Sequence, residues 1–180
     1  EQLGLGNTAK MRHLFVSSLL LALSGTVAAT GNLAVIEAPG PGEGLIVTVD
    51  GDTLESDVGF PVEAELVSLT TFENTVFVAR YMVAGSNVGA ISAFELSSDY
   101  LGFSTTVSYN SCVDPTDITA TFDATSTSYI IMTCKHNTLV VESSNLKLVQ
   151  AVPTPTIDGI QIVEPVSAAA AGDYLFIAYQ

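Results

Sequence analysis

The sequence is poor in positive charge. It contains 5 lysine and arginine residues against 19 aspartate and glutamate residues, which gives a formal net charge of −14 at pH 7. Nucleic acids and anionic membranes are bound through clustered lysine and arginine side chains. The composition therefore argues against both as partners, and most of the acidic surplus is expected to be solvated surface charge.

The sequence also lacks the short motifs of common enzyme classes. It has no G-x-S-x-G elbow, no G-x-x-x-x-G-K-[ST] loop and no H-E-x-x-H helix. His136 is the one histidine after residue 29, and a single histidine in a turn is typically a surface residue. Asp50-Gly51-Asp52 resembles the start of a calcium loop, but Leu54 and Glu55 occupy positions that need an oxygen ligand and a glycine. We therefore assign no catalytic residue, no metal ligand and no cofactor, and a divalent cation has no support in the sequence.

Cysteine is equally scarce. Cys112 and Cys134 are too far apart for a C-x-x-C motif, so neither zinc binding nor redox chemistry is indicated. In a secreted chain the pair predicts a disulfide, which would close a loop of about 23 residues and stabilise the fold by about 3 kcal/mol. If residues 123–127 form a turn, Cys134 lies opposite residue 116, and Pro115 must fold the chain back to bring Cys112 close. The alternative is two partly buried thiols.

The N-terminal region has the pattern of a secretory signal peptide. Residues 11–29 comprise the basic start Met11-Arg12-His13, an apolar run and small residues ending at Ala29. The run of about 16 residues is shorter than the roughly 20 that span a membrane. We predict cleavage after Ala29, an extracellular or periplasmic location, and a mature chain with formal charge −15 and no membrane span. Residues 1–10 form an upstream segment, and the proline- and glycine-rich residues 30–44 are predicted to be a lead-in loop.

No stretch has a sustained helical period, whereas short alternating strands recur along the chain. Residues 114–149 are predicted to form four strands joined by turns at residues 123–127, 135–137 and 143–145. A similar unit is predicted over residues 65–107, and strands near residues 160–163 and 174–179 begin a third. The strand Ser128–Met132 matches Thr75–Ala79 and Asp173–Ile177, and such spacing is typical of four-stranded repeats. The sequence therefore predicts an all-β fold.

This pattern resembles the lactonase-type and NHL-type β-propeller repeats over residues 44–180, best in Pro165-Val166-Ser167 and in Ala171–Ala178. The chain has no tryptophan, so a WD40 assignment is unsupported. The resemblance implies about three four-stranded antiparallel blades, fewer than the four to eight that close a propeller. With Leu175–Gln180 read as an unpaired buried strand, we expect an N-terminal fragment of a longer protein. The alternatives are a β-sandwich and a short repeat protein that completes its sheet by self-association.

The resemblance also implies a binding face, formed by the loops between fourth and first strands and between second and third strands. Its polar and aromatic candidates are Tyr81, Asn87, Tyr109, Asn110, Asp114, His136 and Asn137, although ordinary loop composition also accounts for them. The first hypothesis is a secreted propeller that serves as a binding or scaffold module for a protein or small-molecule ligand. The second is a lactonase- or hydrolase-type propeller enzyme whose active site needs further blades. The third is a β-sandwich surface domain of the adhesin type.

Overall fold

A computed structural model describes residues 33–40, 43–49, 56–62, 64–83, 85–96, 101–123, 125–161, 163–171 and 174–180. The predicted signal peptide, the upstream segment and Asp50-Gly51-Asp52 lie outside these residues. Within them, every regular element is a β-strand paired antiparallel with its neighbour, so the predicted all-β fold is confirmed. The described part of the chain has no helix of the length and apolarity that a membrane crossing requires.

The strands follow one another closely along the chain. They are β1 (Leu33–Gly40), β2 (Glu43–Val49), β3 (Ser56–Val62), β4 (Leu66–Phe72), β5 (Thr75–Tyr81), β6 (Val88–Leu96), β7 (Leu101–Val113), β8 (Pro115–Phe122), β9 (Ser128–Cys134), β10 (Asn137–Glu142), β11 (Leu148–Pro153), β12 (Thr156–Ile157), β13 (Ile160–Gln161), β14 (Pro165–Ala171) and β15 (Tyr174–Tyr179).

Each sheet joins strands in the order in which they occur in the sequence. Sheet I contains β1-β2-β3, sheet II contains β4-β5-β6-β7, and sheet III contains β8-β9-β10-β11. The pairs β12-β13 and β14-β15 form two further hairpins. The two four-stranded antiparallel units predicted from the sequence are therefore confirmed, and this order is compatible with blade-like units as well as with a sandwich.

Four segments differ from the sequence prediction. β7 continues to Val113 although its unit was predicted to end at residue 107, and the strand at Leu175–Gln180, read as unpaired and buried, instead pairs with β14 and leaves Phe176 and Tyr179 exposed.

The segment predicted as a lead-in loop contains β1, whose register with β2 shifts between Glu37 and Gly40. Pro39 lies within this irregularity of an edge strand, a position at which proline is tolerated in sheets. The third unit begins with β14 rather than near residue 160, because Ile160 instead pairs with Ile157 in the short β12-β13 hairpin.

A β-bulge recurs at the start of β4, β8 and β14. The register with the following strand shifts between Leu66 and Ser68, between Pro115 and Asp117, and between Pro165 and Ser167. Ser68, Asp117 and Ser167 thus occupy equivalent positions in three successive units. A recurring bulge indicates a structural repeat, since bulges are specific features of a strand and not random defects.

Asp117 connects these three first strands directly. Its carboxylate accepts a hydrogen bond of 2.8 Å from Ser68 Oγ in β4 and one of 2.6 Å from Ser167 Oγ in β14. A second link runs from the Ala120 amide of β8 to Thr70 Oγ1 of β4, at 3.2 Å. The first strands of successive units therefore lie side by side.

The cores lie between successive sheets. Val76 and Val78 of β5 pack with Ile46 and Phe94 between sheets I and II. The alternate residues of β5, Phe77 among them, join the cluster between sheets II and III. Because the two core clusters cover both faces of β5, the sequence of this strand is almost continuously apolar, as expected for a central strand.

The predicted disulfide between Cys112 and Cys134 is present and buried, with the two Cα atoms 5.3 Å apart. The chain reverses at Asp114, which has a left-handed backbone (φ 48°), so that Pro115 pairs with Cys134. The disulfide therefore joins the last strand of sheet II to the second strand of sheet III.

Candidate binding face at the loop end

The predicted site residues collect at one end of the sheets. We call the loop end the end at which β5 ends, β6 begins, β7 passes into β8, and β9 turns into β10. Successive strands of a meander run in opposite directions, so the loops from second to third strand and from fourth to first strand meet there. Tyr81, Asn87, Asn110, Asp114, His136 and Asn137 all lie at or next to these loops.

Tyr81, Asn87 and Asp114 form the first group at the loop end. The Asp114 amide donates to the Asn87 carbonyl oxygen at 2.8 Å, which ties the β7-β8 turn to the loop before β6. Burial raises the pKa of the Tyr81 phenol, and the nearby negative charges of Asp114 and Glu65 raise it further. Tyr81 is therefore a neutral hydroxyl at physiological pH and can both donate and accept hydrogen bonds.

His136 belongs to a second group that includes a residue the sequence did not point to. His136 Nδ1 lies 2.6 Å from Gln161 Oε1, and the Gln161 amide donates to the carbonyl oxygens of Lys135 and Val163. Since Oε1 only accepts hydrogen bonds, the contact requires a proton on Nδ1 and leaves Nε2 of a neutral ring as an acceptor. Lys135 also forms an exposed ion pair with Glu164, with 3.6 Å between Nζ and Oε1.

Only one of the two polar atoms of the Asn137 side chain forms a hydrogen bond within the described residues. Its Nδ2 donates to the Ser111 carbonyl oxygen at 2.7 Å, whereas Oδ1 is buried and has no protein partner within the described residues. Buried side-chain oxygens are normally hydrogen-bonded to protein or to ordered water. Asn137 Oδ1 is therefore an acceptor site for water or for a ligand donor at the junction of sheets II and III, and the exposed Asn110 lies next to Ser111 on β7.

Tyr109 lies apart from the exposed candidates. Its ring belongs to the core cluster between sheets II and III, and its hydroxyl donates to the Leu146 carbonyl oxygen at 2.7 Å. Burial strongly raises the pKa of this phenol. The observed contacts of Tyr109 are structural, and the ring is not presented at the surface of the loop end.

The loop end offers hydrogen-bond donors and acceptors at strand ends and in the turns between them. A phenol, three asparagine amides and an imidazole are available there, together with the Asp114 carboxylate. The described residues contain no group of three or more His, Cys, Asp or Glu side chains arranged to hold a metal ion. What the arrangement supports chemically is recognition of a polar molecule through hydrogen bonds.

No protein-family model matches the chain, and no curated protein matches it significantly.

Proposed function

We propose that this chain is a secreted β-propeller module that binds its ligand at the loop end and has no catalytic centre of its own. The observation that carries the proposal is the bulge shared by the first strands of three units, with Asp117 hydrogen-bonded to Ser68 on one side and Ser167 on the other. Neighbouring first strands and four-stranded meanders are features of propeller blades. In that architecture the loop end is the face on which ligands bind.

Secretion is supported by two independent features. Residues 11–29 have the order of regions found in a signal peptide, and the Cys112–Cys134 disulfide suits an oxidising compartment. Expression of the full chain in a secreting host, followed by mass spectrometry of the exported protein, tests this part. A mature N-terminus at Thr30 is expected, and retention of an uncleaved chain in the cell would contradict it.

A crystal structure of the exported protein tests the architecture. We expect sheets I to III and the β14-β15 hairpin to be arranged radially about a common axis, with β4, β8 and β14 innermost. Two sheets stacked face to face would instead establish the β-sandwich.

The binding face is tested with a panel of defined neutral oligosaccharides, scored by the shift in melting temperature. Any oligosaccharide that stabilises the protein is then titrated against Tyr81→Phe and His136→Ala. Loss of binding in these variants is expected, because each removes one polar group from the loop end. Glu73→Gln at the opposite end is the control, and a ligand lost only in that control would place the site elsewhere.

A further inference from the structure

The opposite end of the sheets contains two clefts at equivalent positions. We call it the turn end, because the β4-β5, β8-β9 and β10-β11 turns lie there. The first cleft, of about 280 Å³, is lined by residues of sheets II and III. The second, of about 170 Å³, is lined by residues of sheet III and the β14-β15 hairpin. The pair Phe77–Ala93 lines the first and the equivalent pair Ile131–Val140 lines the second.

Each cleft combines an apolar surface with a carboxylate from the turn after a first strand. In the first cleft, Glu73 and Glu95 accompany Phe72 and Leu146. In the second, Asp123 accompanies several apolar and aromatic side chains. Both glutamates are exposed, and within the described residues the one ion pair joins Lys135 to Glu164 at the loop end. Glu73, Glu95 and Asp123 therefore have no ion-pair partner in that part of the chain, and the one cation of the β10-β11 turn, Lys147, forms no ion pair with them.

The second cleft is also flanked by aromatic rings that face solvent. Phe122 and Tyr174 are 62% and 72% exposed, and both line the cleft together with Tyr129. Aromatic faces attract ammonium and guanidinium groups, and the long stems of lysine and arginine pack well on apolar surface while their charged ends stay in water. A chain with formal charge −14 favours the approach of such a cationic partner.

We propose that the turn end is a docking surface for a lysine- or arginine-rich segment of a partner protein, which places one basic side chain in each cleft. The stem of each basic side chain lies on the apolar surface, and its cationic group meets Glu73 and Glu95 in the first cleft or Asp123 in the second. This surface is separate from the ligand face proposed at the loop end, so either proposal can fail without the other.

The test is a titration of the full chain with tetralysine at low ionic strength, followed by NMR or calorimetry. Tetra-(N-acetyl-lysine) is the matched probe, since it keeps the stems and removes the charges. The variants are Glu73→Gln and, separately, Glu95→Gln for the first cleft, and Phe122→Ala for the second. Asp158→Asn, an exposed acid in the β12-β13 turn, controls for the charge change, and Val149→Ala on β11 controls for loss of an exposed apolar side chain.

We expect tetralysine to bind and its acetylated form not to bind. The cleft variants should weaken binding by about fivefold each, the scale of solvent-exposed charge and cation–π contacts, whereas both control variants should bind as the wild type does. Equal weakening by Asp158→Asn would show attraction to overall charge and overturn the proposal. Equal binding of the acetylated probe, or no binding of tetralysine, would also overturn it. Circular dichroism of each variant confirms that the fold is retained.

Discussion

Gly89 is a residue whose missing side chain makes room for the disulfide. A Cβ atom at this position would overlap Cys112 Sγ and would lie 3.1 Å from Cys112 Cβ. Since both cysteines are buried, the sulfur cannot move into solvent. We expect Gly89→Ala to lower the free energy of unfolding by about 1–3 kcal/mol, the usual cost of overpacking a core, as measured by urea denaturation.

The control for Gly89→Ala is the same substitution in a Cys112→Ala, Cys134→Ala background. Removal of the sulfur relieves the closest overlap, so the cost of the added methyl group should fall. An equal cost in both backgrounds would show that the disulfide is not what excludes a side chain at this position.

Asp123 is expected to give the β8-β9 turn a pH dependence. Its carboxylate accepts hydrogen bonds from the Thr125 hydroxyl and from the amides of Thr125 and Thr127. These bonds, the Thr125 hydroxyl first, hold its pKa below the ordinary value of 3.8, although desolvation opposes them. A depressed folded-state pKa stabilises the turn above the unfolded pKa, and this stabilisation is lost as the pH falls through the folded value.

Protonation of Asp123 can be followed through the Thr125 and Thr127 amide signals in NMR spectra recorded during acidification. We expect one transition with a midpoint below 3.8, absent in Asp123→Asn because the amide does not titrate. A midpoint above the ordinary value would contradict the hydrogen-bond assignment.

At the scale of elements, the disulfide is a covalent cross-link between β7 and β9. It joins residues 22 positions apart, and a loop of this length should contribute about 3 kcal/mol to stability. The double substitution Cys112→Ala, Cys134→Ala should therefore shift the urea midpoint to a clearly lower concentration. An unchanged midpoint would show that the packing between sheets II and III already fixes this junction.

The Asp117 hydrogen bonds should couple β4 to β8 energetically. A double-mutant cycle with Ser68→Ala and Asp117→Ala isolates the 2.8 Å contact from other effects of each change. We expect a coupling of about 1 kcal/mol, because the acceptor is charged and the pair is only partly buried. Thr121→Ala provides a control on the same strand, since the one hydrogen bond of its hydroxyl within the described residues goes to the neighbouring Phe122 carbonyl oxygen. Similar coupling of Ser68 with Thr121 would contradict a specific link.

The strands could be predicted from sequence because their signals are local. Every strand of sheets II and III could be predicted from two signals: the alternation of apolar and polar residues within a strand, and the short polar turns between strands. Two of the errors had non-local causes. Pro39 lies at a register irregularity of an edge strand, where proline is tolerated, and β14 packs next to β8.

The candidate site was harder to predict than the strands. The His136–Gln161 contact joins residues 25 positions apart, so no local sequence pattern could indicate it. Tyr109 was placed on the binding face because its unit was predicted to end at residue 107 and to continue as a loop. β7 instead continues to Val113, and the Tyr109 ring is buried in the core cluster between sheets II and III. Whether the remaining candidates bind a ligand stays a prediction.

At the scale of the whole molecule, the structure is built from units that mainly contact their neighbours in sequence. The first strands β4, β8 and β14 contact one another in order, and each core cluster lies between two successive sheets. Stability in such repeat arrangements is close to a sum of unit and interface contributions. A change at the interface between sheets II and III, such as removal of the disulfide, should therefore have little effect on the stability of the β14-β15 hairpin.

The negative charge acts on the molecule as a whole. With a formal charge of −14 and a single ion pair among the described residues, mutual repulsion of carboxylates destabilises the compact state more than the expanded chain. Added sodium chloride shortens the screening length to about 10 Å at 0.1 M, so we expect the melting temperature to rise with salt up to that range. The same series with an equal concentration of sucrose separates screening from solute exclusion. A melting temperature that falls with salt would show that local ion pairs, rather than the overall charge, dominate the electrostatic free energy of folding.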